Sequence, residues 1–406
     1  MQRGSACLVF DVELPPGEPR DWSPGPLPAV LADAAADRDW RLTYFEPRVG
    51  ASLFGTDERP ARWHLRRPPT GPDPEIAALE LLRVPEAAGL GSDRHGLAVL
   101  HVRLATDPLA ELTALADLER QRTRFQGLLP DGVRIEEDAS RAWTVAHATF
   151  AEGEPPQVMP DSYAEWRGRD QWLWLLASKT PLDRFAPDPE DTELFAGRVR
   201  FSADWQALVL RDGAAFVGTS PDPGGDDTFH ATAAHHVHTL YLDVFLLARL
   251  QFLGANALAN ELSEVRARES DAARLMRLEK RLVELRHALW STHITSHDKS
   301  NELLERFQRQ RRLDQLLSHT GSGLADTARF VEAGRSRRTS LALSLLSAVG
   351  LPFGMAYSAA AVWGSPGGWA LLASTAAALV VTVLLFVLLP PLRGLLSDTT
   401  WHGTGD

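Results

Sequence analysis

Three hydrophobic patterns divide the chain. In the first 225 or so residues the apolar runs are short and interrupted by Pro and Gly, which predicts alternating strands and short helices. Strands are expected at Ala6–Val12, Leu97–Leu104 and Ala142–Phe150, with further extended pieces at Trp40–Phe45 and Gln171–Ala177. Pro28–Arg38 and Pro74–Arg83 read as helices, the second with Pro in its first turn, and Gly55–Asp73 reads as a loop. In "TDPLAELTALADLERQRTRF" Asp107 is placed to cap a helix, Pro108 suits its first position, and Leu109, Leu112, Leu115 and Leu118 give it an apolar stripe. "WQALVLRDGAAFVG" predicts two strands turning at Asp212-Gly213.

After the linker "TSPDPGGDD" the pattern becomes helical, and no Pro occurs from Phe229 to Arg338. Leu240, Val244, Leu247 and Leu250 form one stripe. Leu275, Leu278, Leu282, Leu285 and Leu289 follow the 3-4 spacing of a heptad seam, pairing either within the chain or between chains. Gly321 and Gly323 suggest a hinge, and "HITSHDKSN" a turn with Ser296 or Ser300 capping the next helix.

The last pattern is the most distinctive. Thr339–Trp363 holds no ionisable side chain except Tyr357, and Trp369–Leu389 holds none. About 20 apolar residues cross a bilayer core, so these runs predict a two-span hairpin closed by "GSPGG". Arg335, Arg337, Arg338 and Arg393 flank the spans and the loop carries no positive charge, which places both termini in the cytoplasm of a two-pass inner-membrane protein. Ser340, Ser344, Ser347, Gly354 and Ser358 share a face of the first span, where small and hydroxyl residues either pack a neighbouring helix or line a polar path in an oligomer.

Composition narrows the chemistry. A net charge of −11 excludes a nucleic-acid partner. The first apolar run is too short for a secretory signal. Cys7 is the single cysteine, so an intramolecular disulfide and cysteine-based zinc sites are excluded, and its apolar neighbours predict a buried thiol with no histidine partner visible in the sequence. His230, His235, His236 and His238 cluster at the start of the helical region; His235 and His238, three apart, are a candidate metal pair, against a solvated or pH-sensing alternative. Glu264, Glu269 and Asp271 form an acidic group on the expected stalk that faces water. No Walker A loop, dinucleotide fingerprint or nucleophile elbow is present, and no enzyme activity or cofactor is expected.

The late Gly354-Met355 pair, Trp363-Gly364 a few residues on, and a polar head followed by helices and two spans resemble the CorA family of divalent-cation channels. The resemblance implies a pentamer with Gly354, Met355 and position 356 at a pore entrance. The family's Asn is Ala356 here, and the acidic loop is missing, so the scaffold is retained without the oxygen ligands a hard cation needs. Size, the Arg-rich and Ala-rich composition, the "LVLRDGAAFVG" hairpin and the terminal hairpin also resemble caspase- and TPR-repeat-associated (CATRA) proteins of conflict systems, which implies caspase-like or TPR partners. The expected organisation is α+β: a cytosolic α/β domain (1–225), a helical stalk (226–338), a transmembrane hairpin (339–390) and a short tail (391–406). Two functions follow: a homo-oligomeric, non-enzymatic membrane effector or signalling partner, or a divergent Mg, Co or Zn channel.

Overall fold

The computed structural model describes residues 3–28, 34–56, 58–68, 75–85, 94–105, 107–150, 153–183, 185–219, 229–265, 272–291 and 293–362, with seven further residues between 369 and 380. The chain is α+β and forms two compact units: Met1–Glu264 with Met276–Gly323, and Val265–Leu275 with Leu324–Asp406.

The first unit is built on one ten-stranded sheet. Its strands are β1 (Arg3–Glu13), β2 (Ser23–Pro24), β3 (Arg62–Arg66), β4 (Glu75–Arg83), β5 (His95–Leu104), β6 (Arg134–Ile135), β7 (Trp143–Thr149), β8 (Arg198–Arg200), β9 (Trp205–Val209) and β10 (Gly213–Gly218). They lie in the order β2-β3-β4-β5-β1-β7-β10-β9-β8, with β6 on the far end of β1. All neighbours are antiparallel except β7 and β10.

Helices cover both faces, which is why the central strands read as continuous apolar runs. One face packs on α3 (Pro108–Ala116), α4 (Leu118–Gln126) and α5 (Gly168–Ser178) through Ala6, Leu8, Phe10, Leu100, Leu112, Leu173 and their neighbours. The other face carries α1 (Ala34–Tyr44), α2 (Pro47–Phe54), α6 (Phe229–His238), α7 (Leu240–Glu264), most of α8 (Ala272–Leu289), α9 (Asp298–Gln310) and the start of α10 (Leu313–Val362). In α7 the run Leu242–Gln251 is buried on every side, so it is a core helix rather than one half of a stalk.

Several sequence expectations change accordingly. Residue 225 is not a boundary between compact units, because α6 to α9 close the helical layer over the sheet. The leucine seam is buried: Leu278, Leu282, Leu285 and Leu289 lie in the core of the first unit, and Leu275, at the edge of the second, is buried too. Gly321 is no hinge. A Cβ there would come within 3.3 Å of Arg286 and 3.7 Å of Leu282, so the glycine lets α10 lie close on α8.

Trp40–Phe45 is helical up to Tyr44, because the buried side of α1 is polar: Arg41 and Asp37 face inward together. Within the helix expected at Pro74–Arg83, Glu75–Arg83 is strand β4, whose residues 78–82 are buried on both faces and so show no period. Gln171–Ala177 is helix α5, a buried apolar run whose period could not separate helix from strand. The loop expected at Gly55–Asp73 contains β3. Asp107 caps α3 as foreseen, accepting from the Ala110 amide. His297 rather than Ser296 or Ser300 precedes α9, and Ser300 bonds Tyr44 instead. In the second unit α10 runs on past Pro352 to Val362, and Leu324 and Val331 are its buried side chains.

Candidate functional site

The helix-covered face of the sheet around β1 carries an unusual amount of charge. Strand alternation sends Ala6, Leu8 and Phe10 to the α3–α5 side and Ser5, Cys7 and Asp11 to the α6–α7 side. Register then sets Cys7 directly opposite His101 on β5, with Glu80 of β4 facing His64 of β3 on the same surface. The result is a polar row running across four strands under α6 and α7.

One end of that row is an ion quartet. Asp243 of α7 accepts from Arg41 Nε (2.9 Å) and Nη2 (2.8 Å) and from Arg62 Nη1 (2.5 Å). Arg62 Nε bonds Glu80 Oε2 (2.5 Å), which also accepts from the Leu27 amide. All four charged side chains are 0% exposed, and two cations meet two anions. Burying such groups is tolerable when each charge is paired and hydrogen-bonded, as here.

Glu80 carries the row onward. Its Oε1 accepts from His101 Nε2 at 2.7 Å. In the neutral ring that donation places the lone pair on Nδ1. Facing it are His238 Nδ1 at 3.1 Å and Cys7 Sγ at 3.4 Å, and Sγ lies 3.1 Å from His238 Nδ1. His238 Nε2 bonds Ser5 Oγ at 2.7 Å. The histidine is the last residue of α6, where the helix stops at Thr239 before α7 begins.

Burial favours the neutral forms of Cys7 and His238. Burial pushes the Cys7 thiol well above its ordinary range, with the Glu80 carboxylate adding to the effect. Burial, then the neighbouring His101, holds His238 well below the usual imidazole value. Burial acts to raise Glu80, but Arg62 and the His101 hydrogen bond outweigh it and keep the carboxyl ionised. Cys7, His101 and His238 present one sulfur and two nitrogens, all within 4.8 Å of one another, the donor types of a soft-metal site.

The sequence pair His235 and His238 is thus divided. His238 is in the cluster, whereas His235 is exposed and His236 stacks on Trp40. The helix places His238 toward the sheet, so its partners come from β1 and β5 rather than from its own helix. Cys7 is buried as expected, but it has two histidine neighbours, and a site containing one cysteine is compatible with its surroundings. Register is what brings Cys7 and His101 together, and 94 residues separate them. His230, Glu269 and Asp271 lie outside the described residues or side chains.

The membrane-hairpin residues sit in the second unit. Ser340, Ser344, Ser347, Gly354 and Ser358 lie on α10 and are exposed, as is Leu343 at 61%. Met355 and Ala356 are on the same helix, their side chains outside the description, and most of the second span lies outside the described residues. Among the described residues, one helical stretch, Thr232–Glu264, is long and apolar enough to cross a membrane, and 72% of its apolar window is buried inside the protein. Compared with family models, curated proteins and solved structures, the chain matches none.

Proposed function

We propose that the chain is a non-enzymatic membrane protein, a cytosolic α+β head held at the inner membrane by a C-terminal two-span hairpin and acting as an effector or signalling partner. The observation that carries this reading is the contrast between two apolar helices. Thr232–Glu264 hides its apolar side chains within its own chain. The charge-free stretch of α10 after Arg338 leaves every described side chain from Ser340 to Ser358 exposed. The described residues of the following run are exposed too, among them Trp369 (85%) and Leu372 (65%). The large apolar side chains left exposed here are Leu343, Trp369, Leu372, Leu379 and Val380, the other exposed described positions in this stretch of α10 being Ser and Gly, and lipid supplies a cover for uncharged runs of this length.

The absence of a carboxylate or carboxamide in the Gly354-Met355-Ala356 region supports the effector over a Mg²⁺ channel, since a hard cation needs oxygen ligands. Alkaline carbonate extraction tests the anchor: the protein stays in the membrane pellet, and its release into the soluble fraction would refute attachment. Reconstituted vesicles test the channel alternative. No selective Mg²⁺ uptake is expected; saturable uptake would replace the effector with a transporter, and a caspase-like or TPR partner recovered on crosslinking would tie the effector to a conflict system.

A further inference from the structure

We propose that Cys7, His101 and His238 bind one thiophilic d¹⁰ cation, Zn²⁺ or Cu⁺, in the first unit. The spacing of the donors carries the inference. A tetrahedral zinc with bonds of about 2.0–2.1 Å to nitrogen and 2.3 Å to sulfur has edges of roughly 3.3 to 3.6 Å between those ligand atoms. The three edges here are 3.1, 3.1 and 3.4 Å. The atoms therefore already outline one face of the polyhedron, and shifts of a few tenths of an ångström complete it.

The surroundings point the same way. Glu80 accepts from Nε2 of His101 and so directs its lone pair at Nδ1 into the triangle, the carboxylate–histidine support that metal-binding imidazoles use. Ser5 accepts from Nε2 of His238 in the one tautomer that leaves His238 Nδ1 free for a metal. The supporting carboxylate is itself fixed by Arg62 and the Leu27 amide, so the donor set is built on rigid elements.

Charge and softness select the ion. A thiolate and two imidazoles favour Zn²⁺ or Cu⁺ over Mg²⁺ or Ca²⁺, which take oxygen. The Arg41, Arg62, Asp243 and Glu80 quartet sums to zero, so a thiolate with Cu⁺ leaves the buried site neutral and one with Zn²⁺ leaves a single positive charge. Binding expels the thiol proton to solvent and needs no oxidant or reductant. His238 is only partly buried, which gives the ion a side of entry. The fourth position of a tetrahedral site would fall to water or a small exogenous ligand.

The test uses the full-length protein in detergent, stripped with a chelator and titrated separately with Zn²⁺, with Cu⁺ under reductant, and with Mg²⁺. One Zn²⁺ or Cu⁺ per chain is expected, with no stoichiometric Mg²⁺. Co²⁺ should give a thiolate-to-metal charge-transfer band. Cys7→Ser should abolish that band and weaken binding at least tenfold, and Ser5→Ala should weaken it within the 10- to 100-fold range of supporting residues. His235→Ala should change nothing. If Cys7→Ser does not fold by circular dichroism, His238→Gln gives the same reading. Failure of both cations to bind, or binding unchanged in Cys7→Ser and His238→Gln, overturns the proposal. The readout is independent of membrane attachment, so it fails separately from the anchor.

Discussion

Replacing Asp243 by Asn is the sharpest perturbation of the first unit. The side chain keeps its shape but loses its charge, and its amide Nδ2–H₂ then faces Arg donors where a carboxylate oxygen accepted. Arg41 and Arg62 are left with one full anion, Glu80, since Asp37 stands 3.9 Å from Arg41 and at the quartet's edge. Breaking a buried ion pair from one side costs about 3–5 kcal/mol, because the remaining charge is desolvated and uncompensated. At about 1.5–2 °C per kcal/mol for a unit of this size, this lowers the melting temperature by roughly 5–10 °C. Differential scanning calorimetry in detergent checks it. The control is Glu305→Gln, which breaks the Arg309 pair with both side chains 59% exposed and should move stability by no more than about 0.5 kcal/mol. A drop below 2 °C in Asp243→Asn would show that water or rearrangement screens the quartet, and the description of a dry, paired network would be wrong.

Other outcomes follow from single sites. Leu282→Asp puts a charge into the core between α8 and α10 and should lower the melting temperature of the first unit; a variant that melts like wild type but loses oligomeric mass would place the seam between chains. Gly213→Ala sets a Cβ 2.7 Å from Lys179 Nζ and Thr144 Oγ1 and 2.8 Å from the Ala177 carbonyl, so it should cost about 1–3 kcal/mol in denaturant unfolding, while Gly334→Ala, with nothing within 4 Å, should gain up to about 1 kcal/mol. Burial holds the Lys179 ammonium down at about 7, so the unfolded chain binds that proton more tightly; the stability this confers is full above the unfolded value and lost as pH falls toward 7, with a limiting slope of about 1.4 kcal/mol per pH unit. Lys179→Met should flatten the slope between pH 7 and 10, and an unchanged profile would assign it to other groups.

The sequence was legible wherever one face of an element meets one environment. β5, β7, the β9–β10 turn and the cap of α3 fall where pattern and turn chemistry put them. It misled where both faces are covered, as in β4 and α5, because a buried strand and a buried helix share the same unbroken apolar run. It misled again where the interior is polar: Arg41 and Asp37 count as surface residues to any hydrophobicity scale, yet they line the inner side of α1. At the Asp212-Gly213 turn the need for glycine lies in the close approach of Lys179 Nζ, Thr144 Oγ1 and the Ala177 carbonyl. The cluster was half visible. The helical histidines stood out, but no local signal links Cys7 to His101, since cross-strand register is decided by the whole sheet.

Glu80 joins the two halves of the polar row, and this has a structural consequence. Its Oε2 takes part in the quartet that holds α7 through Asp243, while its Oε1 orients the imidazole facing His238 at the end of α6. Asp11 adds a third tie, accepting from Arg249 farther along α7. The α6–α7 pair is therefore fastened to the sheet at three polar points set in an otherwise apolar layer. Apolar contacts alone allow a helix to slide by small steps at little cost, whereas paired charges and directional nitrogens accept one register. A cation at Cys7, His101 and His238 would tighten the second of these points without altering the others. Coupling between Cys7→Ser and Glu80→Gln in a double-mutant cycle of metal affinity should then exceed that between Cys7→Ser and Arg249→Met, because Glu80 touches the ligand directly and Arg249 is linked to it only through the helix.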